Sequence, residues 1–424
     1  MAQPTQPQPK PTVLHIGDPV KYNPATYALL ASRFTIIRPS AADRERPAFL
    51  RALRERKWGD FAAIFRPFWG SGGEMGKWDA ELIGLLPDSV EVFASAGAGF
   101  DWADTEALGK KGIIYCNGGL AAAESVADFA LAMVISTFRH LPWAMNAAVL
   151  PSILASGPSP ALREQAFRHS HTHTTAHSHN PRSHTLAIIG LGKIGSLLAA
   201  KLGNPSMGMR IAYHDVTRKS PALEKKLGAT FYADLRALMG VADCVVVCTP
   251  ALPGSSTTTP TTTPTTTTGM EMAAARPSPL ICAKSLSWLK PGARFVNIAR
   301  GSLVDEEALA DALESGLVSA AALDVHADEP RVNPRLVRMA GLQVIEQVEG
   351  QGHGREQGQG NGKRKGVQNP GRVMLTCHNA GGTVETHMGF EELAMRNILA
   401  VLGGEEAITP VNMQYLKRSV KSRL

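Results

Sequence analysis

Residues 185–195, TLAIIGLGKIG, decide how the rest of the chain is read. The apolar run Leu186-Ala187-Ile188-Ile189 leads directly into Gly190, Gly192 and Gly195, and an amphipathic stretch over 196–202 follows. That order predicts a strand, a tight glycine turn and a helix. The first glycine permits the turn, the second lets the backbone approach a pyrophosphate, and the third lets helix and strand pack closely. The phosphates would sit on the helix N–H groups and its positive dipole end, which assigns Gly190, Gly192, Lys193, Ile194 and Gly195 to a cofactor. The pattern alone is weak, but a strand before it and a helix after it supply the context it needs. One strand further on, Asp215 follows residues 210–214. A carboxylate there suits the ribose hydroxyls of NAD. It also repels a 2′-phosphate, while Arg218 and Lys219 just beyond leave NADP open.

Strand-like and helix-like segments alternate on both sides of this turn, which predicts an α/β fold with parallel sheets. Upstream, strands are expected at 13–17, 34–37, 61–65, 92–94 and 113–116, with helices at 23–32 and 48–57. The strand at 92–94 runs into Gly97-Ala98-Gly99, where the N–H groups of Ala98 and Gly99 form a turn able to take a carboxylate. A long Ala-rich helix over 124–140 is apolar nearly all round, so it is expected to be buried as a wall between two domains. Downstream, four more strands end on small or polar residues: 244–248 at Thr249-Pro250, 294–298 at Ala299-Arg300, 321–323 at Asp324, and 373–377 at His378. Open parallel sheets bind ligands at the C-terminal ends of their strands. Asp215, Thr249, Arg300, Asp324 and His378 are therefore expected to converge on one cleft.

A chain of 424 residues accommodates two domains and a large core. The net charge of +7 comes with Lys and Arg mostly interspersed among Asp and Glu, apart from Lys363-Arg364-Lys365 and the tail from Lys417 to Arg423. There is no zinc-finger spacing and no basic-aromatic pattern, so nucleic acid is not an expected partner. No apolar run reaches the length of a membrane span. Five scattered cysteines, Cys116, Cys244, Cys248, Cys282 and Cys377, form no disulfide framework. Cys244, Cys248 and Cys377 sit in apolar strand-like runs and read as buried thiols of a reducing, cytoplasmic compartment. The terminal Ser422-Arg423-Leu424 matches a conservative variant of the peroxisomal address.

Three segments stand outside the pattern. Residues 1–11 are rich in Pro and Gln and read as a flexible tail. Residues 255–279 begin with a run of Thr and Pro, and 346–372 are rich in Gly, Gln and charge. Neither can bury a core, so both are expected to be disordered surface insertions that also threaten the cofactor domain they interrupt. The stretch from about 150 to 184 reads as an irregular, solvated connection. It carries His169, His171, His173, His177, His179 and His184, but without a Cys or acidic cluster no metal is expected there.

Taken together, the motifs identify a family resemblance. SAGAGFDWAD at 95–104, AESVADFALAMV at 123–134, GLGKIG at 190–195, VNIARGSLVDEEAL at 296–309, ALDVHADEP at 322–330 and TCHNAGG at 376–382 occur in this order. Together they resemble the D-isomer-specific 2-hydroxyacid dehydrogenases, in particular the fungal branch with D-mandelate dehydrogenase-like and glyoxylate-hydroxypyruvate reductase-like members. The resemblance implies two Rossmann-like domains. A flavodoxin-like substrate domain would span 12–145 and 383–424, with a dinucleotide-binding domain at 146–382, and the protein would be a homodimer. It also implies catalytic roles for Arg300, Glu329 and His378. Substrate contacts would come from Ala98, Gly99, Arg300 and His378. Cofactor contacts would come from the glycine turn, Asp215, Thr249, Pro250, Ala299, Arg300, Asp324, His378, Ala380 and Gly381. Glu329 departs from the formate dehydrogenase branch, which has glutamine before the proline.

The chemistry is coherent without the family. Hydride transfer to a 2-keto acid leaves negative charge on the ketone oxygen, which a protonated histidine quenches. A carboxylate beside that histidine favours the imidazolium and sets its tautomer. An arginine grips the substrate carboxylate with its planar fork. The expected substrates are glyoxylate, hydroxypyruvate or phenylglyoxylate, with Phe65, Arg66, Phe68 and Trp69 shaping the side-chain pocket. The alternative is an NAD-sensing scaffold resembling the C-terminal-binding-protein co-repressors, which bind NAD without significant turnover.

Overall fold

Every strand of the first sheet runs parallel to its neighbours: β1 (Thr12–His15), β2 (Thr35–Ile37), β3 (Ala63–Arg66), β4 (Val92–Ser95) and β5 (Ile114–Cys116). Their order is β2-β1-β3-β4-β5, the flavodoxin-like arrangement. β3 and β4 are buried along their whole length, as expected of strands covered on both faces. These coordinates are a computed structural model that describes residues 9–68, 70–153, 168, 171–172, 174–250, 279–341 and 371–416. The expectations for residues 1–8, Trp69, His169, His173, nearly all of both insertions and Ser422-Arg423-Leu424 lie outside the described residues.

The chain divides into two compact units, Met1–Ser125 with Gly381–Leu424, and Val126–Ala380. The first division falls inside the helix Gly119–Arg139. The C-terminal part of the chain is stitched into the first unit by buried polar side chains. Glu391 accepts the backbone N–H groups of Lys21, Tyr22 and Asn23, and so closes the start of the helix Pro24–Arg33. Asn412, fully buried, accepts from Tyr115 N–H and donates to the carbonyls of Thr105 and Ile113. The helix Val384–Leu402 packs Ala394, Met395 and Ile398 against Val13, Phe65 and Val92.

The second unit contains a seven-stranded parallel sheet: β6 (Thr185–Ile189), β7 (Arg210–His214), β8 (Ala229–Phe231), β9 (Cys244–Val247), β10 (Ala293–Asn297), β11 (Val318–Leu323) and β12 (Val373–Leu375). Its order is β12-β11-β10-β9-β6-β7-β8. Counted from its own first strand, this is the dinucleotide-binding order 3-2-1-4-5-6 with one strand added. The strand order reverses between β6 and β9, so the crevice at their C-terminal ends is the switch point of the sheet. The core beneath it is built from Val245, Val247, Phe295, Ala321 and Leu323 of the strands and Leu309 and Leu313 of the helix Glu306–Glu314.

Three expectations change. The connection expected to be irregular from about 150 overlaps the end of a helix, Leu141–Ile153, that was not anticipated, and residues 174–177 within it are helical. Pro142 lies in the first turn, where its missing N–H leaves no bond unmade, so it starts the helix rather than stopping it. Cys377 is exposed rather than buried, because β12 stops at Leu375 and the chain turns away. Finally, Gly119–Arg139 is long and apolar enough, by length and composition, to cross a membrane. It is a core helix here: Met133, Val134 and Phe138 are fully buried, and Asp128 pairs with Lys201 at 2.8 Å.

Candidate active site

Strand register brings three functional side chains to one end of one sheet. Asn297, Leu323 and Leu375 stand abreast on β10, β11 and β12. Arg300, Glu329 and His378 follow within a few residues on the same C-terminal side. Asn297, almost fully buried, fixes the first turn: its Oδ1 accepts from Ala299 N–H at 3.0 Å, and its Nδ2 donates to Arg300 O at 2.9 Å. Gly301 then presses directly on the next strand's loop. A Cβ placed there would lie 1.9 Å from the His326 carbonyl carbon, so only glycine fits. This contact holds the Arg300 turn against the loop that carries Glu329.

Asp324 organises the histidine. It is 1 % exposed, and its carboxylate accepts from Thr376 Oγ1 at 2.7 Å, Asn379 N–H at 3.0 Å and Ala380 N–H at 2.9 Å. Its carbonyl accepts the His378 N–H at 2.7 Å. These bonds hold His378 at φ 53, a left-handed conformation that costs a non-glycine residue of order 1 kcal/mol or more. In that conformation His378 Nδ1 lies 2.9 Å from Glu329 Oε2, and the imidazole remains exposed. The other carboxylate oxygen of Glu329 accepts His326 N–H at 3.0 Å. Burial pushes the Glu329 carboxyl up, but the hydrogen bonds from His378 and His326 outweigh it and hold the group below the usual carboxylate range. His326 in turn is oriented by a 2.9 Å contact of Nε2 with Thr376 O.

Asn297, Thr376 and His326 were not singled out from sequence. Their side chains act on neighbouring turns, and only their place inside the VNIARG, TCHNAGG and DVHADEP runs marked them. Asp324, expected to contact the cofactor, also pins the His378 turn with its carboxylate.

At the other side of the edge lies the glycine turn. Gly190 has φ 97, and a Cβ on it would approach Thr249 to 2.9 Å. A Cβ on Gly195 would meet Gly190 O at 2.3 Å, which explains the close packing of the helix Lys193–Gly203 on β6. Gly192 differs: nothing lies within 4 Å of its Cβ direction, and it caps the helix without any side-chain bond. Open space in front of an uncapped helix N-terminus is what an approaching phosphate requires. Asp215 accepts Leu191 N–H at 2.9 Å and pairs with Lys219 at 3.0 Å. Arg218 makes two 2.9 Å bonds to Glu224. The groups present thus fit a dinucleotide.

The expected convergence is better described as a row. Asp215, Thr249, Arg300, Asp324 and His378 all share the C-terminal edge, but β7 and β12 are five strand intervals apart, roughly 24 Å at ~4.8 Å each. Arg300, Asp324 and His378 follow the adjacent strands β10, β11 and β12; Asp324 and Glu329 both bond to His378, and Arg300 Nη1 donates to Ala299 O at 2.7 Å. Ala299 and Ala380 are buried within this edge, Thr249 is half-buried, and Lys193 and Pro250 are exposed.

Ala98 and Gly99 belong to the first unit, at the C-terminal end of β4. Gly97 has φ 88, its carbonyl accepts Gly118 N–H at 2.7 Å, and Asn117 Nδ2 donates to Ala98 O at 2.8 Å. Of the residues expected to shape a side-chain pocket, Phe65 is fully buried against His15 and belongs to the core. Arg66 is 7 % exposed and bonded to Gly72 O and Ser95 Oγ. Phe68 meets His387 edge-on at 4.6 Å. Among the described residues no His, Cys, Asp or Glu cluster is able to hold a metal.

Comparison with known proteins agrees with this geometry. Residues 158–259 and 273–345 match the D-isomer specific 2-hydroxyacid dehydrogenase NAD binding domain. The chain is 32 % identical to D-mandelate dehydrogenase of Rhodotorula graminis, covering 95 % of this chain and 98 % of that one, with a TM-score of 0.76. It is 28 % identical to 4-methyl-2-oxopentanoate reductase A of Aspergillus oryzae, over 95 % of this chain and 98 % of that protein. The NADPH-dependent glyoxylate/hydroxypyruvate reductase of Sinorhizobium meliloti, solved with NADP and malonate, is 25 % identical, covers 96 % and 99 % of the two chains, and has a TM-score of 0.64.

Proposed function

The chain belongs to the D-isomer-specific 2-hydroxyacid dehydrogenase family, and from that we propose that Arg300, Glu329 and His378 carry out its chemistry on a small or aromatic 2-keto acid. The protein is an NAD(P)-dependent oxidoreductase that interconverts a 2-keto acid and a D-2-hydroxy acid. When bound, the nicotinamide cofactor supplies or accepts the hydride.

The protein's part is proton and charge management. Glu329 holds Nδ1 of His378, which leaves Nε2 to give a proton to the keto oxygen during reduction and to recover it in the reverse direction. The carboxylate stabilises the imidazolium that this requires. Arg300, on the neighbouring strand, offers a planar fork to the substrate carboxylate and keto oxygen. One observation carries the reading: the exposed His378 imidazole bonded at 2.9 Å to Glu329, at the C-terminal edge of a sheet with dinucleotide-binding strand order. NAD is the preferred cofactor in this proposal. Asp215 ends β7 beside the glycine turn, where its carboxylate accepts Leu191 N–H, and both nearby cations, Arg218 and Lys219, are engaged by carboxylates.

The test is loss of reduced-cofactor absorbance by purified protein across glyoxylate, hydroxypyruvate, phenylglyoxylate and branched 2-keto acids, with NADH and NADPH. Turnover of at least one of them, stronger with NADH, is expected. Tight NADH binding without turnover of any keto acid would favour a scaffold role instead. A homodimer, resident in the cytoplasm or in peroxisomes, belongs to the same proposal. Light scattering and microscopy of an N-terminally tagged chain test those two points.

A further inference from the structure

At the opposite, N-terminal end of the second sheet lies a cavity of about 490 Å³ with no part in the chemistry above. Its walls come from the residues that lead into β6, β9, β10, β11 and β12, together with residues 176–179. The lining is strongly basic. Arg294, Arg372, Lys290, His177, His179 and His184 face it, and the one acid is Asp243.

That acid is already committed. Asp243 accepts Thr185 N–H at 2.7 Å and pairs with Lys290 at 2.9 Å. Among the described residues neither arginine is bonded to a carboxylate, and Asp243, paired with Lys290, acts on Arg294 only at a distance. Arg294 is 5 % exposed, and its guanidinium lies 4.0 Å over the Phe138 ring. The ring covers one face of the fork but accepts none of its in-plane N–H bonds. Its Nε is buried without a hydrogen-bond partner among the described residues. Arg372 is half-buried, and among the described residues its side chain likewise makes no hydrogen bond or ion pair. Burial lowers the affinity of both guanidiniums for their protons.

A buried guanidinium is normally paired, because its desolvation is otherwise uncompensated. Two of them facing one cavity, with histidines alongside, is the arrangement by which proteins hold oxyanions through forked N–H donors. The volume lies in the range of small-molecule sites. We propose that this cavity is a second ligand site, separate from the cofactor crevice, that takes a small phosphate-bearing anion with Arg294 and Arg372 as its principal donors.

Titration calorimetry of NADH-saturated protein with inorganic pyrophosphate, then with inorganic phosphate, at constant ionic strength, tests this. Saturating NADH keeps the pyrophosphate cradle of the glycine turn filled, and NADH fluorescence reports any displacement. One equivalent of pyrophosphate bound per chain with NADH fluorescence unchanged is expected. Affinity should fall at least tenfold in Arg372→Gln, with kcat and NADH affinity as in the wild type. Arg294→Gln should do the same if it folds; Lys290→Gln, at a half-exposed position, supplies a third variant with a smaller loss. No binding by NADH-saturated wild type, displacement of NADH, or equal affinity in Arg372→Gln would each overturn the proposal.

Discussion

His378 Nδ1 and Glu329 Oε2 are 2.9 Å apart across 49 residues of sequence, and both side chains remain partly exposed. An exposed ion pair adds at most about 1 kcal/mol to stability. The strained backbone at His378 costs about as much or more. The pair is therefore poorly explained as a stabilising device and well explained as a proton donor held ready.

Glu329→Gln keeps the shape of the contact but removes its charge. Reduction of the keto acid should slow by about 10²-fold in kcat, with little change in KM. The stability effect has a definite sign as well. A carboxyl whose affinity for protons is lowered by folding stabilises the native state above its ordinary range near ~4.3, and that contribution disappears as pH falls through the folded value. Acid melts of wild type and Glu329→Gln should accordingly converge at low pH.

Asp324→Asn should damage both stability and rate. The carboxylate takes three donors at a buried position, and an amide directs its NH₂ group at some of them. A loss of about 1–3 kcal/mol in chemical denaturation is expected, and kcat should fall because the His378 turn loses its anchor. Thr376→Val, which removes one of these donors, should give a smaller loss in the same direction.

The glycines of the turn should separate by role. Gly192→Ala has open space and an ordinary negative φ. Its melting temperature should be unchanged or slightly raised, while NADH affinity falls. Gly195→Ala puts a methyl 2.3 Å from Gly190 O. It should lose about 1–3 kcal/mol or more of stability. Equal effects of the two on stability would contradict the assignment.

Gly301→Ala tests the packing of the Arg300 turn on the Glu329 loop. No rotamer relieves a Cβ clash with backbone at 1.9 Å. Folded yield should drop sharply, and any soluble fraction should show a raised KM for the keto acid as Arg300 shifts.

Asp215→Ala should move cofactor choice. It removes the carboxylate proposed to hold the ribose hydroxyls and frees Lys219 from its 3.0 Å pair. The ratio of kcat/KM for NADH over NADPH should fall by roughly tenfold, about 1.4 kcal/mol of discrimination.

Much of this was legible in the sequence, because the signals were local. Strand-like runs of three to five residues ending on glycine or a small or polar group marked β6, β9, β10 and β11, and the glycine spacing marked the helix on which phosphates would rest. Arg300, Glu329 and His378 were found through the motifs around them. The short strand β8 and the helix Leu141–Ile153 were missed, the first because three residues carry too little periodicity and the second because its sequence is apolar without a clear helical face.

The sequence by itself determined the alternation of strands and helices, the turn that suits a dinucleotide and the identities of the reacting groups. These follow from hydrophobic period, backbone freedom at glycine and side-chain chemistry, all of which are properties of short segments. Only the tertiary structure decided that β10, β11 and β12 lie side by side, that Asp324 serves the His378 turn, that Gly301 sits on the backbone of His326, and that Arg294 and Arg372 share a cavity whose one carboxylate, Asp243, is paired with Lys290. Each of those depends on which segments become neighbours across a sheet. That is set by the packing of the whole core and is written at no single position in the chain.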